Sequence, residues 1–238
     1  MLSLILGATT HDLLGDSPGQ TVLVPQLPVE IRLSGTSSLR DWSCRTTSVE
    51  GALLSGISES DLRNNVSNYL NSDDQDWDGD QVPEMEVWLE IDPHSLDCDN
   101  ARMQRDLLRA INAEYHPYIR FWFNRLVGIP EWQHDENGTQ LILGVEGRLT
   151  LAGVTRTVEH QSRIQMSDPN HMHVSGELHL DMRDFSIRPP TALLGLLRAH
   201  PELTVSYRFV VPLDHNPAFA SQAIRRADSI RNESGIDP

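Results

Sequence analysis

Most of the chain alternates apolar and polar residues with a period of two. Val29, Ile31 and Leu33 alternate with Glu30 and Arg32, and Met85, Val87, Leu89 and Ile91 with Glu86, Trp88, Glu90 and Asp92. Ile119, Phe121 and Phe123 share one face, as do Leu141, Leu143, Val145, Leu149 and Leu151. Val158, His160, Ser162, Ile164 and Met166 form another such set. Val174, Leu178, Leu180 and Met182 follow, then Leu203, Val205, Tyr207, Phe209 and Val211. Successive side chains of a strand point to opposite faces, so each run predicts an antiparallel strand with one buried and one wet face. Counting "DWSCRTTSVEGAL" from Asp41, the total is about eight strands, which predicts a barrel or a sandwich.

Three stretches break this rhythm. "NARMQRDLLRAINA", Asn100 to Ala113, places Met103, Leu107, Leu108 and Ile111 on one helical face, with Asp99 as the expected N-cap. Ser60 to Leu70 predicts a short amphipathic helix, followed by an acidic loop up to Pro83. Thr191 to His200 is rich in Ala, Leu and Gly and follows Pro189-Pro190, which suit a first helical turn. This third segment lacks a charged stripe. A short helix covered on both sides is therefore expected, closing a barrel mouth with Leu193, Leu194, Leu196 and Leu197 turned inward.

Residues 1–28 read as a leader or flexible segment, 29–212 as one β domain carrying an acidic insertion at 57–83, and 213–238 as a tail with a surface helix. Leu2 to Leu6, followed by Gly7-Ala8, resemble the end of an export signal without a basic start; the plain alternative is a frayed terminus. Apolar runs of the roughly 18–20 residues needed to span a bilayer are absent from the sequence. The net charge of −15 over 238 residues disfavours nucleic acid and anionic membrane surfaces as partners, because like charges repel.

Chemical motifs are sparse. The sequence holds no nucleophile elbow, HExxH, phosphate-binding loop or dinucleotide fingerprint, so no catalytic residue and no cofactor is expected. His171, His173 and His179 share strand parity, but with Glu177, Asp181 and Arg183, which makes theirs the wet face rather than a metal site. Asp74, Asp76 and Asp78 before Gly79 are spaced like the start of a calcium loop. Met85 occupies the position where that loop needs glutamate, so a solvated acidic loop stands beside the calcium reading. His160 faces inward with Ser162. A buried polar pair needs partners, either a neighbouring carbonyl or the polar group of a ligand. Cys44 and Cys98, the two cysteines, fit no zinc spacing; they form a disulfide, a reactive thiol, or two small buried apolar residues.

Four stretches, "GTSSLRDWSC" from Gly35, "LDCDNARMQRDLLRAINAEYHPYIRF" from Leu96, "GRLTLAGVTRTV" from Gly147 and "DFSIRPPTALLGL" from Asp184, together resemble the lipid- or polyisoprenoid-binding YceI-like family. Their order and strand context agree over roughly Val29 to Pro212. The resemblance implies an all-β fold with short helices: an eight-stranded antiparallel, lipocalin-like barrel, exported to the bacterial periplasm, that holds an isoprenoid, an isoprenoid quinone or a similar long-chain lipid. The acidic insertion and the tail depart from that pattern. With export implied, an oxidising compartment favours the Cys44–Cys98 disulfide.

Val87, Leu89, Ile119, Phe121, Phe123, Leu149, His160, Leu193, Leu196 and Val205 are then the expected ligand-contacting residues. The expected partner is a lipid bound by a monomer or homodimer, without enzymatic turnover. Two rival readings are an accessory or stress-related exported protein acting through its outer surface, and an enzyme. The enzyme would need a polar cluster inside the barrel beyond His160 and Ser162.

Overall fold

The computed structural model describes residues 21–71, 85–98, 100–136, 138–192, 197–214 and 217–234. Asp74, Asp76 and Asp78, the proposed N-cap Asp99, and Leu193 to Leu196 lie outside these. The strands are β1 (Thr21–Leu23), β2 (Gln26–Ser37), β3 (Trp42–Thr46), β4 (Glu50–Ser55), β5 (Met85–Ile91), β6 (Ile119–Asp135), β7 (Gly138–Leu151), β8 (Val154–Asp168), β9 (His171–Asp181), β10 (Thr191–Ala192) and β11 (Leu197–Pro212). The helices are α1 (Glu59–Asn71), α2 (Ala101–Ala110) and α3 (Pro217–Ser234).

The strands form one antiparallel sheet in the order β1-β4-β5-β6-β7-β8-β9-β11-β2-β3, with β10 paired to β11 alone. The sheet curls so that one face encloses the interior: residues from β2, β5, β7, β9 and β11 all line the same cavity. This is the expected all-β, lipocalin-type fold with a different strand count. Among the described residues eleven strands stand where eight are expected, because the stretch from Asp41 splits into β3 and β4, and because β1 and β10 are added. The split has a local cause: the Thr46 hydroxyl accepts the Ser48 N–H at 3.0 Å, a side-chain turn that stops the ladder. β3 pairs with β2, and β4 with β5, so the two halves lie near opposite edges of the strand order. β1 falls within the segment read as a leader; it pairs with β4.

Covalent and polar ties join β3 to the segment after β5, among them a 2.8 Å hydrogen bond between the Thr46 and Ser95 hydroxyls. Arg45 and Asp97 exchange two backbone hydrogen bonds of 2.8 Å, and Cys44 and Cys98 are joined in a disulfide. Both cysteines are buried, at 1% and 2% exposure.

Helix α2 packs at that end of the barrel, where Leu107 and Ile111 join Leu96, Met182, Phe185 and Ile187 in one cluster. Its N-cap is Asn100 rather than Asp99: the Asn100 Oδ1 accepts the N–H groups of Arg102 and Met103 at 2.9 and 3.1 Å. Helix α1 sits at the other end, with Leu62 buried beside Leu213 and Met172, and Val66 against Leu141 and Met166.

Where an apolar helix is expected at Thr191 to His200, the described residues are strand: β10 at Thr191–Ala192 and the start of β11 from Leu197. Thr191 pairs with Arg198, and Ala192 with Leu197, in antiparallel register. A further bond from the Ala199 N–H to the Pro190 carbonyl, 3.0 Å, extends that pairing. Strand pairing here overrides the helical preference of Leu and Ala, which is weak for so short a segment.

Helix α3 covers the outside of the barrel. Ala220, Ala223, Ala227 and Ile230 form its buried stripe against Val22, Ala52, Leu54, Trp88 and Trp122. The alternation on β5 and β6 is thus real, but its outer face is dry at this place.

Candidate ligand-binding site

The interior is a cavity of about 260 Å³ bounded by side chains from β1, β2, β4–β9 and β11. Val87 and Leu89 enter it from β5, and Ile119, Phe121 and Phe123 from β6. Leu149 on β7, His160 on β8 and Val205 on β11 complete the set expected there that falls in the described residues. Leu193 and Leu196 lie outside the described residues. The same alternation brings Leu143, Leu178, Leu180, Tyr207 and Phe209 into the wall.

Among the described lining residues, only His160, Ser162 and Tyr207 carry a side-chain nitrogen or oxygen, and none is charged at neutral pH. These three form one node. The His160 Nε2 lies 2.8 Å from the Tyr207 Oη, and the Tyr207 hydroxyl also hydrogen-bonds the Ser162 side chain. The His160 Nδ1 is buried with no partner. Ser162 is 5% exposed.

Two glycines make this node possible. A Cβ on Gly176 of β9 would lie 2.4 Å from the Tyr207 Oη, so the phenol crosses β9 only because that position is bare. A Cβ on Gly147 of β7 would meet the Phe121 ring at 2.4 Å. Each aromatic ring lies over a glycine on a strand flanking β8 and turns toward His160 between them. The Phe121 and Tyr207 rings meet the imidazole edge-on, with centroids 6.0 and 5.5 Å away. Alternation places Tyr207 on the inner face, but its role as the partner of His160 is not readable from the sequence pattern. An isolated glycine inside a strand, facing a long aromatic side chain, is the available signal.

Burial sets the charge of the node. Desolvation pushes the Tyr207 hydroxyl up to about 12, against smaller opposing effects of the Ser162 hydrogen bond and the Arg163 charge, so it stays a neutral phenol. Desolvation lowers the His160 pKa from its ordinary 6.5, so the ring stays neutral inside. The unfolded chain then binds this proton more readily than the folded one between the lowered value and 6.5. The His160 contribution to stability is complete above 6.5 and is lost as pH falls below it. Urea unfolding of the parent and of His160→Gln over about pH 7.5 to 5 tests this. The stability advantage of the parent is expected to shrink on acidification. A difference independent of pH would show that the ring is not desolvated.

The other candidate ligands lie apart from this interior. On β9, Met172, Val174, Leu178 and Leu180 line the cavity, which turns His171, His173 and His179 outward. The His171 Nδ1 lies 2.8 Å from an Asp168 carboxylate oxygen, and the His179 Nδ1 3.1 Å from the Thr204 hydroxyl. Among the described residues no group of three His, Cys, Asp or Glu side chains is arranged to hold a metal ion.

The fold has counterparts. A polyisoprenoid binding domain from Saccharophagus degradans, implicated in plant cell wall breakdown, superposes with a TM-score of 0.53 at 11% identity, covering 81% of this chain and 98% of its own. Burkholderia cenocepacia BcnA superposes with a TM-score of 0.52 at 11% identity, covering 76% of this chain and 95% of its own. At that identity the likeness is one of fold. No curated protein matches the chain in sequence. Residues 47–210 match the YceI-like domain, a stretch that contains β4 to β9 and most of β11 and leaves α3 outside. With that match covering more than half of its length, the chain belongs to the YceI-like family.

Proposed function

We propose that the protein binds or carries a long apolar lipid, such as a polyisoprenoid, an isoprenoid quinone or a similar amphiphile, in the barrel interior without transforming it. The observation that carries this reading is the uncharged, almost wholly apolar lining of a cavity of about 260 Å³. An apolar void of about 150 Å³ stays dry and admits a benzene-sized guest. A longer ligand therefore has part of its length in this cavity and the rest at or beyond its ends. The ligand class named for the Saccharophagus degradans domain agrees with this chemistry. The buried Cys44–Cys98 bond fits an oxidising compartment, and we place the protein in the bacterial periplasm or an equivalent exported location.

Native mass spectrometry of purified protein, with organic extraction of a parallel sample, tests the reading. A bound lipid retained through purification supports it; repeated lipid-free preparations that also fail to take up added isoprenoid overturn it. Phe121→Ala separates a lined cavity from a filled core. In a filled core the loss is about 3–5 kcal/mol. Beside an existing cavity, the expected loss is nearer the burial value of about 1.5–3 kcal/mol, together with weaker lipid binding. A loss above that range with unchanged lipid binding would mean that the ring packs a core and touches no ligand.

A further inference from the structure

The apolar wall says nothing about which amphiphile fits, but the polar node among its described residues does. We infer that His160, Tyr207 and Ser162 recognise one uncharged oxygen of the ligand, an alcohol hydroxyl or a carbonyl, held inside the barrel rather than at its mouth. The inference rests on the lipid-binding reading and narrows the ligand class.

Three observations carry it. The first is unused hydrogen-bonding capacity: Nε2 of His160 is engaged by Tyr207 at 2.8 Å, while the buried Nδ1 has no protein partner. A buried polar atom left without a partner is costly, so a ligand that supplies one gains over a ligand that does not. In a neutral imidazole one nitrogen donates and the other accepts. If the Tyr207 hydroxyl donates to Nε2, then Nδ1–H donates to a ligand oxygen. If Nε2–H donates to the phenol oxygen, Nδ1 accepts from a ligand hydroxyl. An alcohol serves either arrangement, and a carbonyl serves the first.

The second observation is construction. The imidazole is held edge-on between two aromatic rings, each of which needs a glycine beneath it, Gly147 under Phe121 and Gly176 under Tyr207. Apolar packing alone needs neither the histidine nor the bare position that admits the phenol oxygen.

The third is charge. The described lining holds no Lys, Arg, Asp or Glu, and burial keeps both His160 and Tyr207 neutral. A phosphate or carboxylate drawn to this depth would be stripped of water with no countercharge. A charged head group therefore stays outside, while a neutral oxygen is accepted within.

The test compares three probes by calorimetry or fluorescence displacement: geraniol, its hydrocarbon counterpart with methyl in place of hydroxymethyl, and geranyl phosphate. Geraniol is expected to bind roughly tenfold more tightly than the hydrocarbon. His160→Leu keeps the ring volume approximately and is expected to abolish that preference while hydrocarbon binding persists. His160→Gln, which restores a neutral donor and acceptor, is expected to recover part of it. Nitrogen NMR of the His160 ring should shift with geraniol and not with the hydrocarbon. Equal affinity for alcohol and hydrocarbon in the parent overturns the node's role and leaves lipid binding standing. A preference for geranyl phosphate that His160→Leu removes overturns the requirement for an uncharged oxygen. Failure of all three probes to bind overturns the lipid-binding reading itself. Should His160→Leu fail to fold, His160→Met, which likewise removes both ring nitrogens, gives the same comparison.

Discussion

Removing the Cys44–Cys98 bond is expected to lower stability by about 4 kcal/mol, as the loop-closure entropy of a cross-link of this span predicts. The two cysteines are 54 residues apart, and the closed loop holds α1 and the acidic insertion. Left open, that loop gives the unfolded chain many more conformations, and the paired Arg45 and Asp97 backbones, the Thr46–Ser95 hydroxyl pair and the α2 cluster still hold β3 to the segment after β5. A loss of this size is a large part of the roughly 5–15 kcal/mol that stabilises an ordinary domain. Cys44→Ala/Cys98→Ala is the cleaner variant, because serine would bury hydroxyls at sites only 1% and 2% exposed. Urea unfolding of parent and double variant measures the difference. The same burial shields the bond: dithiothreitol is expected to reduce it rapidly in urea and slowly in buffer. A stability loss under about 1 kcal/mol would mean that β3 is already fixed by the Arg45–Asp97 pairing and the α2 cluster, and that the cross-link adds little constraint.

The barrel wall was legible because its signal repeats. Val87, Leu89, Ile119, Phe121, Phe123, Leu149, His160 and Val205 line the cavity on the parity that alternation gives them. A one-residue slip would have turned each strand inside out, so the pattern fixes the register strongly. What alternation cannot report is which outer faces are covered. Trp88, Glu90 and Trp122 occupy outward positions on β5 and β6, yet Trp88 and Trp122 are 3% and 7% exposed. The helix that covers them offers Ala220, Ala223 and Ala227 as its apolar stripe. Alanine gives a weak amphipathic signal in a sequence, although its small side chain lets the helix approach the sheet closely. The tail therefore reads as a surface helix when it is also a cover.

The hairpin at β10 and β11 misled for the opposite reason. Composition from Thr191 to His200 favours a helix locally, and the pairing of Thr191 with Arg198 and Ala192 with Leu197 is visible only once β11 has been placed in the sheet. The node around His160 was half legible. Parity placed His160, Ser162 and Tyr207 inside, but nothing in one strand's pattern says that Tyr207 of β11 reaches across β9 to β8. That reach depends on Gly176, whose meaning appears only with its neighbours in register: Ser162, Gly176 and Tyr207 are successive cross-strand partners.

Glu90→Ala is expected to cost about 3 kcal/mol, the lower end of the penalty for removing one partner of a buried ion pair. The Glu90 carboxylate is 4% exposed, between the outer face of β5 and α3. It accepts from the Arg120 Nε at 2.6 Å and from Arg226 of α3, and Arg120 also reaches Glu233 of α3 at 2.6 Å. Two carboxylates thus balance two guanidinium groups across the joint between helix and barrel. Both arginines also lie over the Tyr118 ring, 5.2 and 5.1 Å from its centroid. Deleting Glu90 leaves two cations, 16% and 25% exposed at the side chain, sharing the half-exposed Glu233. The desolvation penalty of those cations then outweighs their remaining attraction. Partial access to water places the loss at the lower end of the range. Arg231 holds Glu86 at 2.8 Å with 26% exposure on each side; this pair remains when Glu90 is gone and keeps α3 near the wall. Urea unfolding gives the energy, and tryptophan emission gives the location, since Trp88 and Trp122 lie beneath the helix. A lower midpoint with red-shifted native emission is expected. A loss below about 1 kcal/mol with unchanged emission is the behaviour of an exposed salt bridge, and would show that α3 is held by its alanine stripe and not by this network.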